Sequence, residues 1–238
     1  MKLDILVFAA HPDDAEISAC GTILKSIQQG YKVGIVDLTR GELGSRGSAE
    51  LRDQESRHAS EKMGLAAREN LSLADGFFEI NQESTLAVIR MIRKYQPDVV
   101  MATAPHDRHP DHGRANKLVR EAAFYAGLAK IETQENKVAQ IKWRPRAVYF
   151  YIQDQYIKPD FVVDVTPLWQ QKIDVLQCYS SQFFDPKSSE PTTPISGKEF
   201  FDYLHGRALQ MGRNAGFELG EGFLAEKTPG VEDIVQLK

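Results

Sequence analysis

The chain has 238 residues, 42% of them hydrophobic and 26% charged, with a formal net charge of −4 and a pI near 5.9. This is an ordinary globular composition. It lacks the basic excess that nucleic-acid binding uses, and no segment reaches the roughly 18 uncharged apolar residues of a membrane-spanning helix. A chain this long buries a sizeable core without staples, so a bound metal would serve chemistry rather than folding. Residues 1–4 lead straight into a short apolar run that soon meets His11, Asp13 and Asp14; this is not a signal-peptide pattern, and a cytoplasmic location is expected. Cys20 and Cys178 fit no metal-binding spacing and read as free thiols in a reducing compartment.

In chain order, residues 5–10 are a continuous apolar run, the pattern of a strand buried on both faces. Residues 14–29 carry Ile17, Ile23, Leu24 and Ile27 at helical spacing, and Gly30 fits a helix C-cap. Residues 33–38 are a second buried strand, so the chain opens with a β-α-β unit and a right-handed crossover. Residues 49–63 favour a polar helix ended by Gly64. Residues 86–95 favour a helix closed by Pro97, and residues 99–102 a third strand. Residues 112–128 read as a helix, 147–152 and 161–163 as later strands, and 168–178 and 198–212 as late helices. The alternation predicts one α/β domain over 1–238, a Rossmann-like three-layer fold with a mostly parallel sheet flanked by helices. The loops 39–48, 130–144 and 180–197 are long enough to act as lids or binding loops, or to be plain insertions. The first of these holds Gly41, Gly44 and Gly47 but is not a phosphate loop, because no GK[ST] follows.

In open parallel sheets, ligands bind outside the carboxyl ends of the strands. Two polar clusters fall at such ends. His11-Pro12-Asp13-Asp14 follows the first strand, and His106-Asp107-Arg108-His109-Pro110-Asp111-His112 follows the third. His11 and Asp14 are spaced i, i+3, as are His109 and His112, which puts each pair on one helix face. Pro12 and Pro110 suit a first helical turn, where the missing N–H costs nothing. A mixed His/Asp set with an open position is the donor set of catalytic zinc, and the ligand types admit ferrous iron as well. His11, Asp13, Asp14, His109, Asp111 and His112 are all candidate ligands, and a carboxylate left off the metal would serve as general base. The competing reading makes Asp13 or Asp14 a plain helix N-cap and the HPDH turn a polar loop. His106 reads as a site-edge or exposed residue, and His58 and His205 as structural or solvent-facing.

These motifs resemble those of the LmbE-like deacetylases, also called the PIG-L family, whose hallmark is an AHPDD-type segment after the first strand and a later HPDH segment. The resemblance covers most of the chain, including the stretch near 218–223. Within the family, residues 33–47, Glu50-Leu51-Arg52, Asp107-Arg108 and Tyr179-Ser180-Ser181-Gln182-Phe183 are most similar to the bacillithiol-biosynthesis branch. Members of that branch remove acetate from N-acetyl-α-D-glucosaminyl L-malate, giving glucosaminyl malate. The resemblance implies zinc held by His11, Asp14 and His112, with Asp13 as general base. It implies that His109, as imidazolium, stabilises the oxyanion, that Asp111 orients a histidine, and that Arg146 stands near the catalytic histidine.

The resemblance also implies that Arg52 and Arg108 contact substrate, arginine being the bidentate partner of carboxylates such as those of malate. Their structural alternative is a salt bridge with Glu50, Asp53 or Asp107. Relatives are often trimers or hexamers, so a homo-oligomer acting on a small N-acetylglucosaminyl molecule is expected. The rival readings are a deacetylase of another N-acetylglucosamine derivative (an inositol conjugate or a chitooligosaccharide), a two-metal phosphoesterase, and a non-catalytic sugar- or metal-binding protein. The intact Asp13 argues against the last, since a binding site needs no free base.

Overall fold

The computed structural model describes residues 1–236. The apolar runs at 5–10 and 33–38 form β1 (Ile5–Ala9) and β2 (Val33–Asp37), which pair in parallel with Ile5 opposite Val33 and Ala9 opposite Asp37. Helix α1 (Asp14–Gln28) makes the crossover. Helix α2 (Ala49–Met63) starts at Ser48, whose hydroxyl oxygen accepts the Leu51 N–H at 3.2 Å, and ends at Gly64. Strand β3 (Ala67–Asn70) pairs with β2. Helix α3 (Gln82–Tyr95) opens with a capping box between Asn81 and Ser84, four residues earlier than its apolar periodicity begins. Strand β4 (Val99–Thr103) lies against the other side of β1, and α4 (Pro110–Tyr125) follows with its proline in the first turn. The predicted 130–144 loop contains a two-stranded hairpin, β5 (Gln134–Glu135) and β6 (Val138–Ala139). Then come β7 (Ala147–Tyr151), β8 (Phe161–Asp164), α5 (Trp169–Leu176), α6 (Phe200–Asn214) and β9 (Gly220–Ala225).

The main sheet has the order β3-β2-β1-β4-β7-β9-β8. Six strands point the same way, and β9 alone is reversed, antiparallel to both β7 and β8. The expected three-layer α/β architecture is therefore the one observed. Alternation along β1 divides the core between the two faces. Val7 and Ala9 join Ile17, Ile23, Met63 and Leu176 on one side. Leu6 and Phe8 join Val88, Ile92, Val100 and Leu118 on the other. Each such fully buried large side chain contributes roughly 1.5–3 kcal/mol. Because β2 and β4 flank β1 on opposite sides, the strand order reverses there and a crevice opens beyond the carboxyl ends of β1 and β4.

Two strands have no apolar signature in the sequence. The polar run of β3, Ala-Arg-Glu-Asn, forms the sheet's edge. Strand β9 carries Gly220 and Gly222 because neighbours close in on it. A Cβ at Gly220 would stand 2.4 Å from Val162 Cγ1, and one at Gly222 would stand 2.9 Å from Met211 Sδ.

Strand β9 is also tied to α1 and α5 by a buried ion pair. Lys172 Nζ meets Glu221 Oε1 at 2.7 Å, with both side chains 3% exposed. Glu221 further accepts the Gly21 and Thr22 backbone N–H groups at 2.9 and 2.7 Å. Lys172→Met strands this carboxylate in the core and is expected to cost about 3–5 kcal/mol. Chemical denaturation reads that loss directly, and a wild-type midpoint would refute it. No helix among the described residues is long and apolar enough to cross a membrane.

Candidate metal centre

At the carboxyl end of β1 the chain turns through His11-Pro12-Asp13-Asp14 into α1. Asp14 Oδ2 accepts the His11 backbone N–H at 2.9 Å and closes that turn. Asp13 occupies the N-cap position but its side chain caps nothing, and its backbone stands at φ +111°, ψ −25°. Residues other than glycine avoid positive φ, and strained positions of this kind concentrate at functional sites. The plain N-cap reading of Asp13 therefore fails. Its Oδ2 instead accepts a hydrogen bond from Arg52 Nη1 at 3.2 Å. At the carboxyl end of β4, His109 is the N-cap of α4, and its Nδ1 accepts the Asp111 N–H at 3.2 Å. His112 follows within the first turn of that helix.

The two turns bring their rings together. Ring centroids lie 4.7 Å apart for His11 and His109, 5.6 Å for His11 and His112, and 5.2 Å for His109 and His112. Each of these histidines offers one nitrogen within 4.8 Å of the others'. Carboxylates hold two of the rings from behind. Asp107 Oδ2 bonds His112 Nδ1 at 2.5 Å. Asp75 Oδ1 and Asp111 Oδ2 lie 3.0 and 3.4 Å from His11 Nε2. This leaves His11 Nδ1 3.4 Å from Asp14 Oδ2, and His112 Nε2 3.1 Å from Asp14 Oδ1. A tetrahedral ion with bonds of about 2.0–2.1 Å needs donors roughly 3.3–3.4 Å apart. Donor type and carboxylate-backed histidines fit a divalent metal at this cluster, where Asp14 stands beside both His11 and His112. Gln153 Nε2 steadies Asp14 Oδ1 at 2.6 Å.

His11, Asp75 and Asp111 also form a compact group, but their oxygens are engaged elsewhere. Asp75 Oδ2 accepts the Leu43 N–H at 2.9 Å, and Asp111 Oδ2 accepts the Gly76 N–H at 2.8 Å while Oδ1 pairs with Arg114. Both carboxylates flank His11 Nε2. They lend no support to a two-metal centre.

The charges are strongly coupled. Burial works to raise the Asp14 carboxyl, but the charge of His112 and hydrogen bonds from both histidines outweigh it and hold Asp14 well below the usual carboxylate range. Burial likewise works to lower His112, but Asp14 and the bond to Asp107 win and lift it to about 9. Asp13 is pushed up to about 7, chiefly by burial and against the pull of Arg52. His109 is lowered by burial and by the charges of His11 and His112. With Nδ1 already accepting the Asp111 N–H, neutral His109 carries its proton on Nε2.

A cavity of about 500 Å³ opens over these groups, within the usual range for small-molecule sites. Arg52 lines it, but the side chain is 7% exposed and is committed to Pro12 O at 2.7 Å and to Asp13. Arg108 stands at the rim, 44% exposed, with Nε 3.0 Å from Asp154 Oδ2. Loops 39–48 and 180–197 form walls. Arg46 bolts them together through Ser181 O at 2.8 Å and Ser188 Oγ at 3.1 Å, and Gly47 N–H donates to Glu190 at 2.8 Å. Gly47 has φ +68°, and a Cβ there would lie 2.9 Å from Ser181.

Arg146 is a correction. It immediately precedes β7, at the opposite end of the sheet from the cavity. Seven residues of extended chain, roughly 20 Å, separate it from Gln153, which lines the cavity. His58, His106 and His205 are exposed. Sequence reasoning missed three contributors. Asp107 lay inside the HPDH cluster without an assigned job, Gln153 sits just past a predicted strand end, and Asp75 follows the unrecognised β3.

A family model described as GlcNAc-PI de-N-acetylase (PIG-L) matches residues 6–123. The diacetylchitobiose deacetylase of Thermococcus kodakarensis is 28% identical over 229 residues, 92% of this chain and 81% of that protein. A probable N-acetyl-α-D-glucosaminyl L-malate deacetylase 2 of Bacillus anthracis is 29% identical over 75% of this chain and 81% of its own length. Among solved structures, a conserved protein of Thermus thermophilus, TT1542, is 31% identical, covers 98% of both chains and superposes with a TM-score of 0.85.

Proposed function

This chain belongs to the LmbE-like (PIG-L) family, and from that premise we propose that it is a metal-dependent hydrolase removing the acetyl group of an N-acetylglucosamine conjugate. The observation that carries the proposal is the meeting of His11 Nδ1, Asp14 and His112 Nε2 beside Asp13, a carboxylate that also faces the cavity. A zinc ion held by His11, Asp14 and His112 would supply Lewis-acid polarisation of the amide and activation of the attacking water.

The chain's own residues do the rest. Asp13 takes the proton of the attacking water and delivers it to the leaving nitrogen. Arg52 fixes the position of Asp13. His109 Nε2–H donates a hydrogen bond to the amide oxygen as negative charge builds on it, so the donor is in place before the charge appears. Asp107, Asp75 and Asp111 set the ring orientations of His112 and His11.

The finer reading is N-acetyl-α-D-glucosaminyl L-malate. Its support has narrowed to Arg108, because Arg52 serves Asp13. A chitooligosaccharide is the second reading, favoured by the relative that matches 92% of the chain. We propose cytoplasmic action by a single domain spanning 1–238, assembled as a homo-oligomer.

The test is amine release by the metal-loaded protein from N-acetylglucosaminyl malate, diacetylchitobiose and an N-acetylglucosaminyl inositol, side by side. Turnover of at least one is expected. If malate is recognised at the rim, Arg108→Ala lowers kcat/KM for the malate conjugate alone. No amine from any of the three would overturn the proposal.

A further inference from the structure

The displaced Arg146 leads to a second cavity. About 420 Å³ in volume, it lies where β7 begins and β9 ends, at the sheet end opposite the metal centre. Four cations line it, Arg120, Arg144, Arg146 and Lys227, against one carboxylate, Glu226. That carboxylate is already paired, since its Oε2 lies 2.7 Å from Arg120 Nε in an ion pair. Arg144 is fixed by neutral partners. Its guanidinium stands 4.4 Å over the Phe124 ring and donates to the Phe124 carbonyl at 2.9 Å. Gly127 makes room for it, since a Cβ there would fall 2.3 Å from Arg144 Nε. Arg146 is anchored through its backbone N–H to Asp98 O at 2.8 Å. Its guanidinium, like the Lys227 ammonium, has no hydrogen-bond or ion-pair partner among the described residues.

Three cations without a carboxylate partner thus share one concave wall in a chain whose net charge is −4. Like charges crowded together repel, and a bound anion relieves that repulsion. Two of the three are guanidiniums, the groups whose planar fork matches carboxylate and phosphate oxygens. Phe124 and Pro145 are among the other residues that line the cavity.

We propose that this cavity binds a small dianion, a phosphomonoester or a dicarboxylate, attached to a flat apolar group. The charged end would sit among Arg144, Arg146 and Lys227, and the apolar part against Phe124. The site is separate from the metal centre, so its occupancy does not depend on the hydrolytic reading above.

Isothermal titration of the full-length, metal-loaded protein tests this with phenyl phosphate and phthalate as probes, and with chloride at matched ionic strength as control. Binding of either probe is expected, and which of the two binds identifies the anion. Arg144→Ala/Arg146→Ala should raise Kd by about tenfold or more. Single Arg146→Ala and Lys227→Ala changes, at exposed positions, guard against a folding defect and should each weaken binding. His112→Ala should leave the affinity unchanged, and Arg146→Ala should leave turnover of the N-acetylglucosaminyl substrate near the wild-type value. The proposal is overturned if neither probe binds, if binding survives the double substitution, or if His112→Ala abolishes it.

Discussion

Asp13→Ala is expected to keep its metal and lose turnover by roughly 10²–10⁴-fold, the range a positioned general base supplies. The residue lies next to the proposed ligand Asp14 yet is turned away from the donor set by its own backbone, at φ +111°. A side chain launched from that conformation points its oxygen at Arg52 instead of at the helix N–H groups it would otherwise cap. The strain persists only because the turn is held on both sides, by the His11 N–H bond to Asp14 and by the Arg52 bond to the Pro12 carbonyl. Asn tolerates positive φ better than Ala does, so Asp13→Asn keeps the turn while removing the base. Both variants should show wild-type metal content by elemental analysis and the same collapse in kcat. Wild-type turnover by either would remove Asp13 from the proton path.

His112→Ala is expected to lose the metal and the activity together. In the proposed set the ring supplies one of three donors, while the neighbouring His109 keeps its Nδ1 on the Asp111 N–H. Chelation of the wild-type protein should reproduce the effect, and readdition of zinc should restore turnover in the wild type but not in the variant. Asp107→Asn gives the graded version. It leaves all three donors in place but weakens the bond that fixes the His112 ring, so metal affinity should fall by about 10–100-fold. A competition titration against a chelator measures it. Retained metal in His112→Ala would show that the donor set is wrong, whereas undiminished affinity in Asp107→Asn would show only that the ring is held by other means.

The fold was legible wherever burial writes a periodic signal. The apolar runs at 5–10, 33–38 and 99–102 are β1, β2 and β4 because strands buried on both faces have no polar side to show. Strand β3 was invisible because an edge strand needs no apolar run. Strand β9 was invisible because its glycines answer to Val162 and Met211, residues distant in sequence. Helix α3 begins at a capping box of Asn and Ser, ahead of its first apolar residue.

The site divides along the same line. Which residues stand at the carboxyl ends of β1 and β4 could be read from the amino-acid order, because i, i+3 spacing and strand punctuation are local. Local signals place His11, Asp13, Asp14, His109 and His112 at one edge of one sheet. What each group faces depends on the folded arrangement. It turned Asp13 out of the cap, gave Arg52 to Asp13 and Arg108 to Asp154, and brought Asp75 from beyond β3 to His11. It also sent Arg146 to the far end of the sheet, into a second basic cavity. The physical reason is that a side chain's charge and proton are set by groups within about 4 Å, and in a parallel sheet those groups arrive from strands separated by whole crossovers of sequence.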